Sequence, residues 1–166
     1  HTIMQKDLSI RLARVRENRK ESNFSYWNIM QYNNGDRIDV GIRTQIKPHF
    51  KRNELELKLG VIYTIPQQGF SREALHYVTN FVFEIEDIME HVTIKENNHI
   101  YVPEYLLRLM MNIAIGTTRG MLYQRTKMTK LGQYPLPLMD LGELVDNMCN
   151  DQTSGSYAPI RHFAYE

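Results

Sequence analysis

The longest run of helical periodicity in the chain lies between residues 101 and 126. Pro103 favours a helix start there, because the first helical turn tolerates a residue without an N–H group. We predict a helix of about twenty residues, roughly 30 Å long, that begins near Pro103. Its apolar side chains recur at the intervals that define one helix face: Leu106, Leu107, Met110, Ile113, Ala114, Met121 and Leu122.

Two glycines, Gly116 and Gly120, lie inside the predicted helix. A glycine in a helix interior costs about 1 kcal/mol relative to alanine, so we expect each to allow close packing against another backbone. After the helix, Pro135 and Pro137 favour an extended run. Residues 141–149 are then predicted to form a short final helix.

Before the long helix, apolar and polar residues alternate with a period of two, which is typical of half-buried strands. Asn34-Gly35 is a strong turn signal because both residues tolerate positive φ. The last of the alternating runs is apolar on both faces over residues 78–83, so we expect its outer side to be covered too. The predicted strands are residues 38–46, 54–65 and 74–88.

The segment from residue 4 to residue 23 is ambiguous. Its Arg, Lys and Glu content favours a helix, whereas the alternation around residues 10–15 fits a two-faced strand. The next stretch, residues 24–31, is rich in aromatic side chains. We interpret the basic residues of the ambiguous segment as a solvated face in preference to an anion-binding patch: Arg11, Arg14, Arg16, Arg19 and Lys20.

The composition predicts one globular domain over residues 1–166, with a core at about 8–149 and a C-terminal tail at 150–166. The chain has 166 residues, of which 42% are hydrophobic and 23% charged, and a net charge of +1. Such values are ordinary for a globular protein, and they provide no bulk attraction for nucleic acid. We expect a cytoplasmic protein, because a lone cysteine, Cys149, fits a reducing compartment and no signal-peptide or membrane-spanning pattern is present.

Motifs for catalysis or cofactor binding are missing from the sequence, which contains no Gly-rich phosphate loop, zinc-ligand spacing or G-x-S-x-G motif. We therefore predict no enzyme activity and no cofactor. The alternative is a small enzyme or ligand-binding protein that uses Asp87, Glu90 and His91 as metal ligands. Several of the nine methionines lie on or near the long helix, and methionine suits surfaces that accept varied apolar partners.

The order of predicted elements resembles that of the SecB-type protein-export chaperones. The resemblance is strongest at TRGM (residues 118–121), GQYPLPLM (residues 132–139) and residues 141–144. SecB proteins carry a similar Arg-Gly at the end of the long helix, then a Leu-x-Pro-containing extended run, then a short helix. Val102-Pro103 before the helix also fits, and the resemblance covers roughly residues 8–149.

This resemblance implies an α+β fold: SecB-like, a four-stranded antiparallel sheet with a long and a short C-terminal helix packed on one face. It makes residues 10–24 the first strand. It also implies an ATP-independent chaperone, or holdase, that binds non-native or extended polypeptide without a cofactor. The chain lacks the strongly acidic balance that the exporters use to dock the export motor, and its C-terminal tail differs. The alternatives are therefore a toxin–antitoxin-associated chaperone with a dedicated client, or a scaffold that has lost its clients.

The resemblance and apolar character also select candidate site residues. The candidate client-binding residues are Tyr63, Phe81, Phe83, Tyr101, Tyr105 and Met110. For each of them, burial in the core is the stronger expectation and contact with a client the weaker one.

One helical layer covers only one face of a sheet, so we expect an apolar patch around Val78 and Val82 on the other face. That patch predicts a homo-oligomer, and the resemblance implies a dimer or tetramer. The competing expectation is a monomer in which residues 4–16 fold back over this face as a helix.

Overall fold

The structure is a computed structural model that describes residues 7–33, 35–96, 99–150 and 161–165. The described residues form three α-helices, eight strands and two short 3₁₀ turns, Phe50–Arg52 and Ile88–Glu90. In chain order the elements are β1 (Ile10–Glu17), β2 (Asn23–Phe24), α1 (Tyr26–Met30), β3 (Ile38–His49), β4 (Glu54–Gln67), β5 (Phe70–Ile85), β6 (Thr93–Ile94), β7 (Ile100–Tyr101), α2 (Glu104–Thr126), α3 (Leu141–Asn150) and β8 (Arg161–Tyr165).

The main sheet is antiparallel throughout, in the order β1-β5-β4-β3-β8, and β2 pairs with β5. The strands β6 and β7 form a separate two-stranded ladder. The central hairpin joins β4 to β5 through a two-residue loop between Gln67 and Phe70. Gly69 occupies this loop with φ +81°, a left-handed conformation that glycine adopts without steric cost.

One face of the sheet carries the hydrophobic core. Alternate residues of β4 and β5, such as Leu57 opposite Phe81, point into it and are completely buried. The helix α2 packs on this face, where the hydroxyl of Thr118 lies 2.9 Å from that of Thr79. These two hydroxyls are buried and satisfy each other, as buried polar groups must.

The opposite face is covered by polar groups and by the connection between β1 and β2. Asn18 Nδ2 donates to Asn80 Oδ1 over 2.9 Å, and Lys58 Nζ lies 2.7 Å from a carboxylate oxygen of Glu21. The predicted cover over β5 is therefore supplied by this connection. Val78 is completely buried and Val82 is 9% exposed, so the apolar patch expected from these two valines is not present.

Charged side chains on this outer face are paired with each other. Arg11 and Arg14 lie 2.6 and 3.1 Å from the carboxylate oxygens of Glu84 and Glu54. This pairing agrees with the interpretation of the basic cluster as a solvated face. The competing expectation is that residues 4–16 fold back over this face as a helix. In the structure residues 10–16 belong to a strand, and residues 4–6 lie outside the described part of the chain.

The coarse fold prediction is confirmed, since the chain is α+β with an antiparallel sheet and helices. The sheet is larger than four strands, because β2 and β8 add to it. The segment β8 lies in the predicted C-terminal tail, of which residues 151–160 and 166 lie outside the described residues. The short helix α1 was not predicted.

Several boundaries also differ from the predictions. The strand β3 continues through Pro48 to His49, which agrees with the tolerance of edge strands for proline, since the ladder with β8 stops at Ile42. The strand β5 ends at Ile85, before residue 88, because Asp87 adopts φ +52°. Gly35 has φ +93°, as the predicted turn requires, while its neighbour Asn34 lies outside the described residues.

The long helix begins directly after Pro103, as predicted, and has 23 residues. Within the chain, the close packing expected of its glycines is not present: Gly116 and Gly120 are exposed, and a Cβ built on either would meet no atom within 4 Å. No helix in the described ranges has the length and apolarity that a membrane span needs.

Candidate functional site

The structure separates the six candidate client-binding residues into two groups. Tyr101 is exposed, and Tyr105 is half-buried with its hydroxyl 2.6 Å from His91 Nδ1. The remaining four are completely buried in the core and cannot contact a partner in this fold: Tyr63, Phe81, Phe83 and Met110.

The alternative metal site does not assemble. His91 is buried, and its Nε2 atom has no hydrogen-bond partner in the described structure. Asp87 and Glu90 are exposed. Among the described residues, no group of three or more His, Cys, Asp or Glu side chains is arranged to hold a metal ion.

A groove of about 590 Å³ lies between the β1–β2 connection, the start of α1 and the last turns of α2. We call it the α1–α2 groove. Its lining combines three aromatic rings and a thioether, from Phe24, Tyr26, Tyr77 and Met121, with six polar or charged side chains: Glu17, Arg19, Ser22, Asn23, Gln124 and Arg125.

Local backbone pairing brings the aromatic rings of the groove together. Because β2 pairs with β5, Phe24 lies beside Tyr77, with ring centroids 5.9 Å apart in an edge-to-face arrangement. Phe24 also stacks on Tyr26 at 6.1 Å. Ser25 then starts α1, since its Oγ accepts from the N–H group of Asn28 over 3.3 Å, as is typical of a helix N-cap.

The one carboxylate among the described residues that line the groove, that of Glu17, is shared by two guanidinium groups, those of Arg125 and Arg19. Arg125 donates to the Glu17 carboxylate, and its guanidinium carbon lies 4.5 Å from the centre of the Phe24 ring, which is cation–π geometry. Burial raises the pKa of the Tyr77 hydroxyl, and the neighbouring Glu17 raises it further. Tyr77 is therefore a neutral donor at physiological pH, and the groove presents aromatic surface without an unpaired charge on Glu17 or Arg125.

Large apolar side chains are exposed beside the groove. On α1, Trp27 is 66% exposed, and Tyr26 and Met30 are also exposed. Met128, 90% exposed, lies two residues after the end of α2. The turn that contains it is tied to α1, because Lys130 Nζ donates to the carbonyl of Met30 over 2.9 Å. We call Tyr26, Trp27, Met30 and Met128 the aromatic rim.

Sequence reasoning did not select the groove or the rim. The available signal was the aromatic content of residues 24–31, with Tyr26 and Trp27 adjacent. Periodicity alone cannot separate aromatic residues that fill a core from those that stay exposed. The α1–α2 groove also combines residues from β1, β2 and α1 with residues from β5 and α2, which are distant from them in the sequence.

The residues that resemble SecB proteins form one bonded unit. Arg119 Nε donates to the carbonyl of Leu136 over 2.7 Å, and Nη2 donates to that of Pro137 over 2.9 Å. The hydroxyl of Tyr63 donates to the carbonyl of Tyr134 over 2.7 Å. These bonds hold the extended segment after α2 against the helix and the sheet.

The outer side of α2 carries a second exposed surface. Asn112, Gly116, Gly120 and Tyr123 follow each other at helical spacing and are all exposed. Because the two glycines lack side chains, the helix backbone itself is accessible along this side.

Comparison of the chain with protein-family models, with curated protein sequences and with solved structures returned no match.

Proposed function

We propose that this protein is an ATP-independent, holdase-like chaperone that binds non-native or extended polypeptide at the α1–α2 groove and the aromatic rim. The observation that carries the proposal is the exposure of Trp27 and Met30 on a five-residue helix beside a groove lined by Phe24 and Tyr77. Contiguous exposed apolar surface of this kind marks interaction sites.

The chemistry of this surface favours a polypeptide ligand with little sequence demand. Aromatic rings and methionine side chains give large apolar contact area and adapt to differently shaped partners. The uncharged polar side chains of Asn23 and Gln124 also line the groove, where they can bond to the main chain of a ligand of any sequence. The proposal includes no nucleotide, because burial of apolar surface is itself favourable.

A SecB-like arrangement of the fold is part of this proposal. It is supported by the bonds from Arg119 to the carbonyls of Leu136 and Pro137, which give the Arg-Gly pair and the proline-containing extended run one shared structural role. The order of antiparallel strands, long helix, extended run and short helix also agrees with it. We place the protein in the cytoplasm, where its lone cysteine would stay reduced.

We further propose a homo-oligomer that is built along the outer side of α2. The buried Val78 and Val82 leave no apolar patch for the interface first expected. The exposed strip at Gly116 and Gly120 instead permits two helix backbones to approach closely. Light scattering after size exclusion tests this proposal, and a mass of one chain, 19.6 kDa, at micromolar concentration would contradict it.

A dedicated client, as in toxin–antitoxin systems, is the second candidate function. The observation that favours it is the net charge of +1, since the strongly acidic balance that docks the export motor is missing. Under either function the groove and rim bind the client. The two functions differ only in the number of different polypeptides that bind there.

Suppression of aggregation tests the proposed function. A chemically unfolded model protein is diluted with increasing amounts of this protein, and light scattering is followed. We expect scattering to fall for the wild-type chain and to fall less for Trp27→Ser. Phe70→Ser is the matched control, because Phe70 is a similarly exposed aromatic residue, 54% exposed, on the β4–β5 hairpin. If the wild-type chain at several-fold molar excess does not suppress aggregation, the chaperone proposal is refuted and the alternative of a scaffold without clients is favoured.

A further inference from the structure

The strand β8 occupies an edge of the sheet that would otherwise be open. It pairs with β3 from Ile38 to Ile42, and β3 pairs with β4 on its other side. Without β8, this part of β3 would be an edge strand with unpaired N–H and C=O groups. Such an edge is a template for adding another strand.

The ladder between β3 and β8 is short. It contains five residue pairs, against eleven between β3 and β4. In sequence, β8 follows the final helix α3 by a ten-residue connection, 151–160. The main-chain bonds of β8 can therefore be exchanged without breaking the sheet behind it.

The register of this ladder defines the strand that the edge accepts. Phe163 is opposite Val40 and Tyr165 is opposite Ile38, two completely buried core positions. His162 lies between them, opposite Gly41. Glycine inside a strand often marks a place where another backbone approaches closely. The edge is thus matched to an extended segment with an aromatic residue at every second position.

We propose that the β3 edge is a strand-addition site for an extended polypeptide with alternating aromatic residues, and that β8 is the chain's own displaceable occupant of it. This assignment rests on the proposed polypeptide-binding function, and it adds a second mode of contact. Strand addition takes its affinity from main-chain hydrogen bonds and its selectivity from alternate side chains. A client would pair with β3 here while its other apolar residues reach the groove and rim.

Covalent attachment gives β8 an advantage over any free segment. A strand held by a short connection competes at an effective concentration of about 1 mM. A free peptide that binds the open edge with micromolar affinity would therefore bind the closed form only at about millimolar concentration. We infer that β8 excludes weak clients and admits those that bind at more than one place.

The experiment uses a fluorescent peptide with the sequence of residues 158–166 and the full chain. Phe163→Pro in the chain weakens β8 pairing, because the φ of about −65° that proline imposes does not fit an antiparallel strand, and the ladder has only five residue pairs. We expect the peptide to bind this variant at least tenfold more tightly than the wild type in an anisotropy titration. A peptide with the same Phe163→Pro change is the matched control and should not bind.

Hydrogen exchange locates the binding. Amides of Ile38–Ile42 should exchange faster in Phe163→Pro than in the wild type, and added peptide should slow them again. Equal peptide affinity for both chains, or protection only at a segment other than β3, would overturn the proposal.

A second variant covers the case in which Phe163→Pro fails to fold. Asp39→Cys with Ala164→Cys joins two residues that are opposite in the ladder, in a Cys149→Ser background. The oxidised chain should not bind the peptide, and the reduced chain should bind it as the cysteine-free chain does. Peptide binding that survives oxidation would also refute the assignment. Loss of aggregation suppression with intact peptide binding would instead refute the proposed function and leave the strand-addition site standing.

Discussion

Trp27 gives the most direct measure of the aromatic rim. A tryptophan side chain can bury up to about 250 Å², and Trp27 is 66% exposed, so a client that covers it fully removes roughly 150 Å² from water. At roughly 25 cal/mol per Å² this burial is worth about 4 kcal/mol. Ordering the client and the rim offsets part of that gain, so we expect Trp27→Ser to weaken client binding by about 2 kcal/mol, or roughly thirtyfold.

The assay is a titration of a fluorescently labelled, permanently unfolded protein, followed by anisotropy. Because Trp27 is mostly exposed, its replacement should leave the free energy of unfolding within about 0.5 kcal/mol of the wild type. Phe70→Ser, the matched control on the hairpin, should leave client affinity unchanged. If Trp27→Ser and Phe70→Ser bind the unfolded protein equally well, the rim is not the client-binding surface.

Three further predictions concern stability and assembly. Gly120→Ala should shift the mass measured by light scattering toward that of one chain, because a Cβ at the proposed α2 interface keeps the two helices apart, and an unchanged mass would count against that interface. At a concentration at which wild type and variant are both monomeric, it should raise the thermal midpoint by a few degrees, because alanine favours an exposed helix by about 1 kcal/mol. Arg119→Ala should destabilise the fold by about 2–3 kcal/mol in urea unfolding, because two main-chain carbonyls lose a charged donor, and a loss below about 0.5 kcal/mol would show that these bonds are dispensable. Tyr105→Phe should cost about 1–3 kcal/mol in the same measurement, because buried His91 loses its Nδ1 partner; an unchanged midpoint would contradict this.

The strand β1 illustrates where local signals were insufficient. Its Arg and Glu content favours a helix, yet it pairs with β5, and Ile10 and Val15 pack against the core. Burial of those side chains and a ladder of main-chain bonds outweigh helix propensities of a few tenths of a kcal/mol per residue. The resemblance to SecB proteins implied a strand here, and periodicity alone did not.

The candidate residues show a similar division. Aromatic character selected Phe81 and Phe83, which are core residues, while the exposed Trp27 was noted only as part of an aromatic stretch. An apolar residue has the same pattern whether it fills a core or remains at a surface. Only the packing of the surrounding elements decides how much of its area stays in contact with water.

The sequence by itself determined the elements whose patterns are long and regular: the strands β3 to β5 and the helix that starts after Pro103. Their periods of two and of about 3.6 residues follow directly from backbone geometry. The tertiary structure alone decided that β8 joins the sheet, that Gly116 and Gly120 are exposed, and that residues from five elements form the α1–α2 groove. These features depend on contacts between segments far apart in the chain, which no local pattern encodes.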